Sequence, residues 1–163
     1  MLRKLDTKIR KKQEKDIDEI IKIAQRLPEY FLPVEIKRLR KEATGLEGLV
    51  AGQGEDIVGY LLFRIDRRKD ICIIDSMAVR KDLISRGIGR ELGERLFKTA
   101  NNRGIGTVQV ATLAPIIKYA PYEKTRNFYI KRLGFKESEV VADYWSPGSD
   151  PAIVLYKKLR PMD

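Results

Sequence analysis

The chain has 163 residues, 43% of them hydrophobic, with 33 Lys and Arg against 23 Asp and Glu for a formal net charge of +10. It contains no histidine and one cysteine, Cys72, which excludes an intrachain disulfide, Ser-His-Asp and Cys-His nucleophiles and every His-based metal site. This length suits one well-buried core, expected as a single domain over 1–163 with residues 1–15 as a basic N-terminal extension. No run reaches a membrane span and Met1-Leu2-Arg3-Lys4 leads into no signal-peptide stretch, so a soluble, cytoplasmic protein is expected.

Lys8-Ile9-Arg10-Lys11-Lys12 reads as a solvated basic tail, or as a contact for phosphate backbones. Asp16 with Glu19 makes a capping box, after which Ile17, Ile20, Ile21, Ala24 and Leu27 share one helical face up to Pro28. Pro33 suits the first turn of a second helix that buries Ile36, Leu39 and Ala43 and closes at Gly45. The aromatic connector Glu29-Tyr30-Phe31-Leu32 either packs on the core or lines a cleft. From Glu47 the period changes to short apolar runs at 47–52, 57–66 and 70–79, an antiparallel meander. The last two runs are apolar at both parities, as in strands covered on both faces, and Cys72 lies among them as a buried structural thiol. A helix follows from Gly87 to about Asn101, burying Ile88, Leu92 and Leu96, then a strand over 107–111 that a right-handed crossover lays parallel to 70–79. A helix over 122–133 ending at Gly134 and strands near 135–143 and 152–159 complete the order α-α-β-β-β-α-β-α-β-β.

Between the third strand and its following helix lies Val79-Arg80-Lys81-Asp82-Leu83-Ile84-Ser85-Arg86-Gly87-Ile88-Gly89. A helix start carries four N–H groups without intrahelical partners and about half a positive charge, and glycines there let an anion approach the bare backbone. The spacing is wrong for a dinucleotide fingerprint, because Gly93 comes one residue late and the loop is too long, and no Gly-Lys-Ser/Thr of a Walker A loop is present. Two readings remain: a tight turn before an ordinary helix, or a basic loop wrapping an anion with Lys81, Arg86 and Arg90 adding charge. The excess of basic residues fits nucleic acid, an anionic cofactor or an acidic substrate. Equally, abundant Lys, Arg, Glu and Ile with scarce Asn and Gln is a heat-adapted composition.

With this order and these motifs the chain resembles the GNAT superfamily of acetyl-coenzyme A-dependent N-acetyltransferases. Ser76 to Gly89 align without a gap on the family's strand and pyrophosphate loop, and Thr125-Arg126-Asn127-Phe128-Tyr129-Ile130-Lys131-Arg132-Leu133-Gly134-Phe135 match its second motif, in the right order and about 40 residues on. The resemblance extends from about residue 16 to 159. It departs at Lys81, where the family has Pro, and at Ile84, where it has Gln or Arg. The implied fold is α/β (α+β): a mixed, mostly antiparallel sheet with a splayed central parallel strand pair and helices on both faces. The resemblance also implies acetyl-CoA as cofactor, with Met77, Ala78 and Val79 beside the pantetheine arm like an added strand. Main-chain N–H groups of Ser85, Arg86, Gly87, Ile88, Gly89 and Arg90 would hold the pyrophosphate, the acyl carbonyl would be met near Met77, and Thr125 and Tyr129 would face the cofactor.

Acetyl transfer from a thioester needs a neutral amine and a proton for the departing thiolate. The resemblance assigns the proton to Tyr129; otherwise that residue is a core aromatic. A phenol of pKa about 10 serves a thiol of pKa about 8.5 only if its own pKa is lowered or the transfer is concerted. At neutral pH, deprotonating a lysine-like amine costs about 4 kcal/mol. Many family members place a Glu where this chain has Ile73; Asp75 is the nearest substitute or a structural carboxylate, with Asp143 and Glu123 behind it. Tyr144-Trp145-Ser146-Pro147-Gly148-Ser149-Asp150-Pro151 either stiffens a strand connection or borders an acceptor. The expected partners are acetyl-CoA and an amine acceptor that the variable segments 27–45 and 140–152 leave unidentified, with no membrane; a homodimer stays open. Two further readings stand beside this one: a silent acyl-CoA-binding module, given Ile73 and Ile84, and a basic nucleic-acid-binding protein.

Overall fold

The computed structural model describes residues 6–159. Seven strands, β1 (Lys8–Lys11), β2 (Glu47–Gln53), β3 (Asp56–Asp66), β4 (Ile71–Val79), β5 (Thr107–Leu113), β6 (Lys136–Val141) and β7 (Ala152–Lys158), form one sheet in the order β1-β2-β3-β4-β5-β7-β6. Its one parallel pair is β4–β5, with Ile71 opposite Thr107 and Ile74 opposite Val110, whereas β1–β2, β2–β3, β5–β7 and β7–β6 are antiparallel. The helices are α1 (Ile17–Gln25), α2 (Pro33–Ala43), α3 (Ile88–Asn102) and α4 (Ala120–Asn127). This is the expected mixed, mostly antiparallel fold. Among the described residues no helix is long and apolar enough to cross a membrane.

The chain divides into two compact units. Among the described residues, one comprises those up to Arg64 together with Asp75–Lys98; the other comprises Ile65–Ile74 and those from Thr99 to Leu159.

In the first unit, Ile20, Ile21, Ile23 and Ala24 of α1 and Leu39 and Ala43 of α2 pack with Val50, Tyr60, Leu62 and Ala78 into one apolar cluster. Tyr30 and Phe31 of the connector pack against it, so the connector belongs to the core. On the opposite face of β3, Gly59 lies against Ile88 and Leu92 of α3. Helices therefore cover both faces, which is why β3 is buried from Ile57 through Phe63 regardless of parity.

Residues 8–11 depart from expectation. Instead of a solvated tail they form β1, paired with β2 from Lys8 opposite Gly52 to Lys11 opposite Leu49. Of the expected extension over 1–15, residues 1–5 lie outside the described residues. Charge hides this strand from a sequence reader: three of its four residues are basic, as suits an edge strand that must not pair with another chain. Asp16 also acts otherwise than expected. Its carboxylate accepts Arg10 through two hydrogen bonds of 2.8 and 2.9 Å and the Gln13 N–H at 2.7 Å, locking β1 to the start of α1, while Glu19 pairs with Lys22.

In the second unit, β5 is central to its part of the sheet, and Val108, Val110, Leu155 and Phe135 are buried there. The expected helix over 122–133 is α4 followed by a widened turn over Phe128–Arg132, in which Leu133 N–H bonds back to Phe128 C=O at 3.2 Å, five residues away.

Asp16 is only 2% exposed. Burial pushes its pKa up, but the Arg10 guanidinium, the Gln13 N–H and the charge of Arg10 outweigh that and hold it below the usual carboxylate value. Such a group stabilises fully above its unfolded pKa of about 3.9, and the gain is lost as pH falls through the lower folded value. Asp16→Ala is expected to cost about 2 kcal/mol in urea unfolding at pH 7. The difference from the wild type should shrink steadily as the titration is repeated toward pH 2.

Candidate functional site

The residues singled out in the sequence divide between the two units. Asp75, Met77, Ala78, Val79 and Ser85 through Arg90 belong to the first, Thr125 and Tyr129 to the second.

In the first unit, β4 runs on beyond its ladder with β5, which ends at Ile74. Past that point Tyr60 Oη and Ser76 Oγ are hydrogen-bonded at 2.9 Å, and Arg80 N–H donates to Val58 C=O at 2.8 Å. The loop then begins. Arg80 grips both carboxylate oxygens of Asp82 at 2.7 and 3.1 Å, and a tight turn over 81–83 returns Leu83 N–H to Arg80 C=O at 2.9 Å while burying the Leu83 side chain. Ile84 is half exposed, so the loop holds its shape without that side chain's packing.

The backbone then becomes unusual. Ser85 (φ +71°) and Gly87 (φ +87°) both adopt the left-handed conformation, the kind that builds anion-holding concavities from main-chain N–H groups. A Cβ on Gly87 would meet nothing within 4 Å. Glycine there serves the dihedral angle and leaves the approach open, rather than avoiding a clash. Gly87 C=O accepts the first bond of α3, from Glu91 N–H at 3.0 Å. The N–H groups of Ile88, Gly89 and Arg90 consequently have no acceptor within the helix, and the positive end of its dipole lies there. Arg90 is held by Glu94 at 3.0 Å, so the cations of this loop without an ionic partner among the described residues are Lys81 and Arg86. Charge, dipole and N–H groups converge on one place, which suits a phosphate.

Asp75 sits on β4 with its side chain 27% exposed and a long ion pair to Arg64 at 4.0 Å. Ile73 is buried.

In the second unit Tyr129 is 6% exposed, packed against the rings of Phe128 and Phe135, each centred 5.5 Å away. Burial, with a smaller contribution from Tyr122, raises its pKa well above the ordinary phenol value. The widened turn that carries it is the kind of helical irregularity that recurs at functional sites. Thr125 Oγ donates to Pro121 C=O at 3.3 Å. Arg126, which the sequence reading passed over, donates to Leu113 C=O at 2.9 Å and ties α4 to the end of β5. Asp143 accepts Gly148 N–H at 2.9 Å and shapes the β6–β7 loop, where Tyr144 and Trp145 pack edge-on at 5.4 Å. Among the described residues no group of three acidic or cysteine side chains comes together as a metal site.

The sequence matches the acetyltransferase (GNAT) family over residues 16–135, and the chain belongs to that family. Its fold is similar to that of a GNAT-family protein from Desulfovibrio desulfuricans, with a TM-score of 0.79 at 21% identity, covering 94% of this chain and 99% of that one. It is similar also to the ribosomal-protein-S18-alanine N-acetyltransferase of Escherichia coli, with a TM-score of 0.71 at 19% identity and 96% of each chain covered. An aminoglycoside 6′-N-acetyltransferase complexed with coenzyme A gives a TM-score of 0.71 at 16% identity, covering 96% of this chain and 99% of that one. No curated protein matches the sequence at significance.

Gly87→Ala forces a Cβ into a left-handed residue and is expected to cost about 1 kcal/mol through backbone strain alone, read as a lower thermal midpoint. Ser85→Gly relieves the same strain and should raise the midpoint; a fall there would mean that the Ser85 side chain contributes more than its dihedral angle costs.

Proposed function

We propose that this chain transfers an acetyl group from acetyl-coenzyme A to a primary amine. The observation that carries the reading is the left-handed turn at Ser85 and Gly87 running into the bare first turn of α3, with Arg86 beside it. The family match and the coenzyme A seen in a structural relative support it.

In this reading the diphosphate rests on the N–H groups of residues 85–90, and Arg86 adds charge. These are charge-assisted hydrogen bonds, each stronger than a neutral one. Met77 and Val79 offer main-chain groups to the pantetheine arm, and a strand N–H near Met77 meets the thioester oxygen as negative charge develops on it. The amine nitrogen attacks the carbonyl carbon, the carbon–sulfur bond breaks, the nitrogen gives up a proton and the sulfur receives one. Asp75 is the carboxylate proposed to accept the first, directly or through water.

Tyr129 is proposed to supply the second, in a specific manner. Its raised pKa makes complete transfer to a free thiolate uphill, so the phenol acts as a hydrogen-bond donor whose proton moves only as the carbon–sulfur bond breaks. The same raised pKa keeps it protonated throughout the working range.

A second reading, a module that binds acyl-CoA without turnover, is favoured by the buried Ile73 where the family has a carboxylate. Calorimetry with coenzyme A and thiol release from acetyl-CoA with a panel of amines separate the two. Binding with turnover is expected; binding with no turnover on any amine points to the module, and no binding removes both. Tyr129→Phe should lower kcat about 100-fold while the Kd for coenzyme A stays within twofold. The wild-type rate should climb with pH as the amine loses its proton and show no decline from Tyr129 ionisation up to about pH 10, the ordinary phenol value. An unchanged kcat in the phenylalanine variant would remove Tyr129 from the chemistry.

A further inference from the structure

We infer that Gly59, a buried strand residue outside the loop and away from the reacting atoms, is the positioning residue that sets how tightly the diphosphate is held. This inference rests on the coenzyme A reading above.

Three consecutive residues of β3 hold both ends of the phosphate loop. Val58 C=O takes the Arg80 N–H at 2.8 Å, fixing where the loop leaves β4. Tyr60 Oη bonds Ser76 Oγ at 2.9 Å, fixing β4 one residue before Met77. Between them, Gly59 is where α3 sits down. A Cβ there would lie 3.1 Å from Ile88 Cγ2, 3.3 Å from Leu92 Cδ1 and 3.4 Å from Ala78 C=O. Ile88 is the first residue of α3, Leu92 lies one turn further on, and both are buried. One missing methyl thus lets the bare helix start settle onto the sheet beside the strand segment that contains Met77 and Val79.

The sign of the effect separates this role from ordinary strand behaviour. Glycine in a strand interior has an entropic cost, so replacement by alanine at an uncrowded site is neutral or stabilising. At Gly59 the two apolar side chains closest to the new methyl are anchored in the first turn and a half of α3, so the helix start itself must shift by a few tenths of an ångström. Several short charge-assisted bonds to one diphosphate depend on that placement together, and all weaken at once. Gly48 provides the comparison. A Cβ there would be at least as crowded, 2.8 Å from Leu62 Cδ2 and 3.2 Å from both Leu61 C=O and Lys12 Cβ, but none of these neighbours belongs to the phosphate loop or to α3.

The test measures coenzyme A affinity by calorimetry, KM and kcat for acetyl-CoA, and the thermal midpoint in Gly59→Ala, Gly48→Ala and the wild type. Gly59→Ala is expected to raise Kd and KM about tenfold, equivalent to about 1.4 kcal/mol, with kcat at saturation within threefold of the wild type. Gly48→Ala should lower the midpoint and leave Kd within twofold. S-acetylpantetheine, which lacks the diphosphate, should be used equally well by Gly59→Ala and the wild type. Ile88→Ala removes the nearest obstructing atom, so Gly59→Ala/Ile88→Ala should bind coenzyme A within threefold of Ile88→Ala alone, and this pair decides the matter if Gly59→Ala does not fold. Wild-type binding with an unchanged Kd in Gly59→Ala, or an equal loss in Gly48→Ala, overturns the inference while leaving the acetyltransferase reading intact. Absence of coenzyme A binding by the wild type overturns that reading itself.

Discussion

A helix that begins without a side-chain cap has to be held in place by something other than its own first turn. The residue before α3 is Gly87, which has no side-chain oxygen to offer the N–H groups of Ile88, Gly89 and Arg90, and glycine in place of a capping side chain costs only a few tenths of a kcal/mol. Against this, Ile88, Leu92 and Leu96 are essentially fully buried, each contributing about 1.5–3 kcal/mol. Burial wins by a clear margin. The helix therefore keeps its position while its first N–H groups stay uncommitted, and the loop before it can be shaped by dihedral angles at Ser85 and Gly87 instead of by packing.

Tyr129 shows the opposite arrangement, a polar group embedded in apolar surroundings. Its contacts with Phe128 and Phe135 contribute packing energy, and the same exclusion of water disfavours the phenolate. The physical consequence is a weak acid that is always charged with its proton. Such a group donates a hydrogen bond more readily than it releases its proton, and the widened turn over Phe128–Arg132 carries it.

Electrostatics also shapes the ends of the strand order. β1, at one end, carries Lys8, Arg10 and Lys11, and β6, at the other, carries Glu137 and Glu139 and is exposed along most of its length. Charged edges resist pairing with further strands. Arg10 does more, because its double bond to Asp16 converts an edge residue into a clamp on α1. Part of the basic excess thus serves architecture, and Lys81 and Arg86 are left in the loop as cations available to an anion.

Periodicity and punctuation in the sequence determined most of the fold: the helices over 17–25, 33–43 and 88–102 and the strands β2 to β7 follow from apolar spacing, Pro28, Pro33 and the glycines, because these signals are local. The glycine turn before α3 was legible for the same reason, and the Phe128–Tyr129 segment through its resemblance to a family motif. β1 was not, since a lysine-rich edge strand has the composition of a tail and only pairing with β2 makes it a strand. The partners of Asp16, the ion pair of Asp75 with Arg64, the raised pKa of Tyr129 and the close approach of α3 to Gly59 were decided by tertiary structure alone. Each depends on which atoms distant in sequence come within a few ångströms, and a dihedral preference or a hydrophobic period carries no information about that.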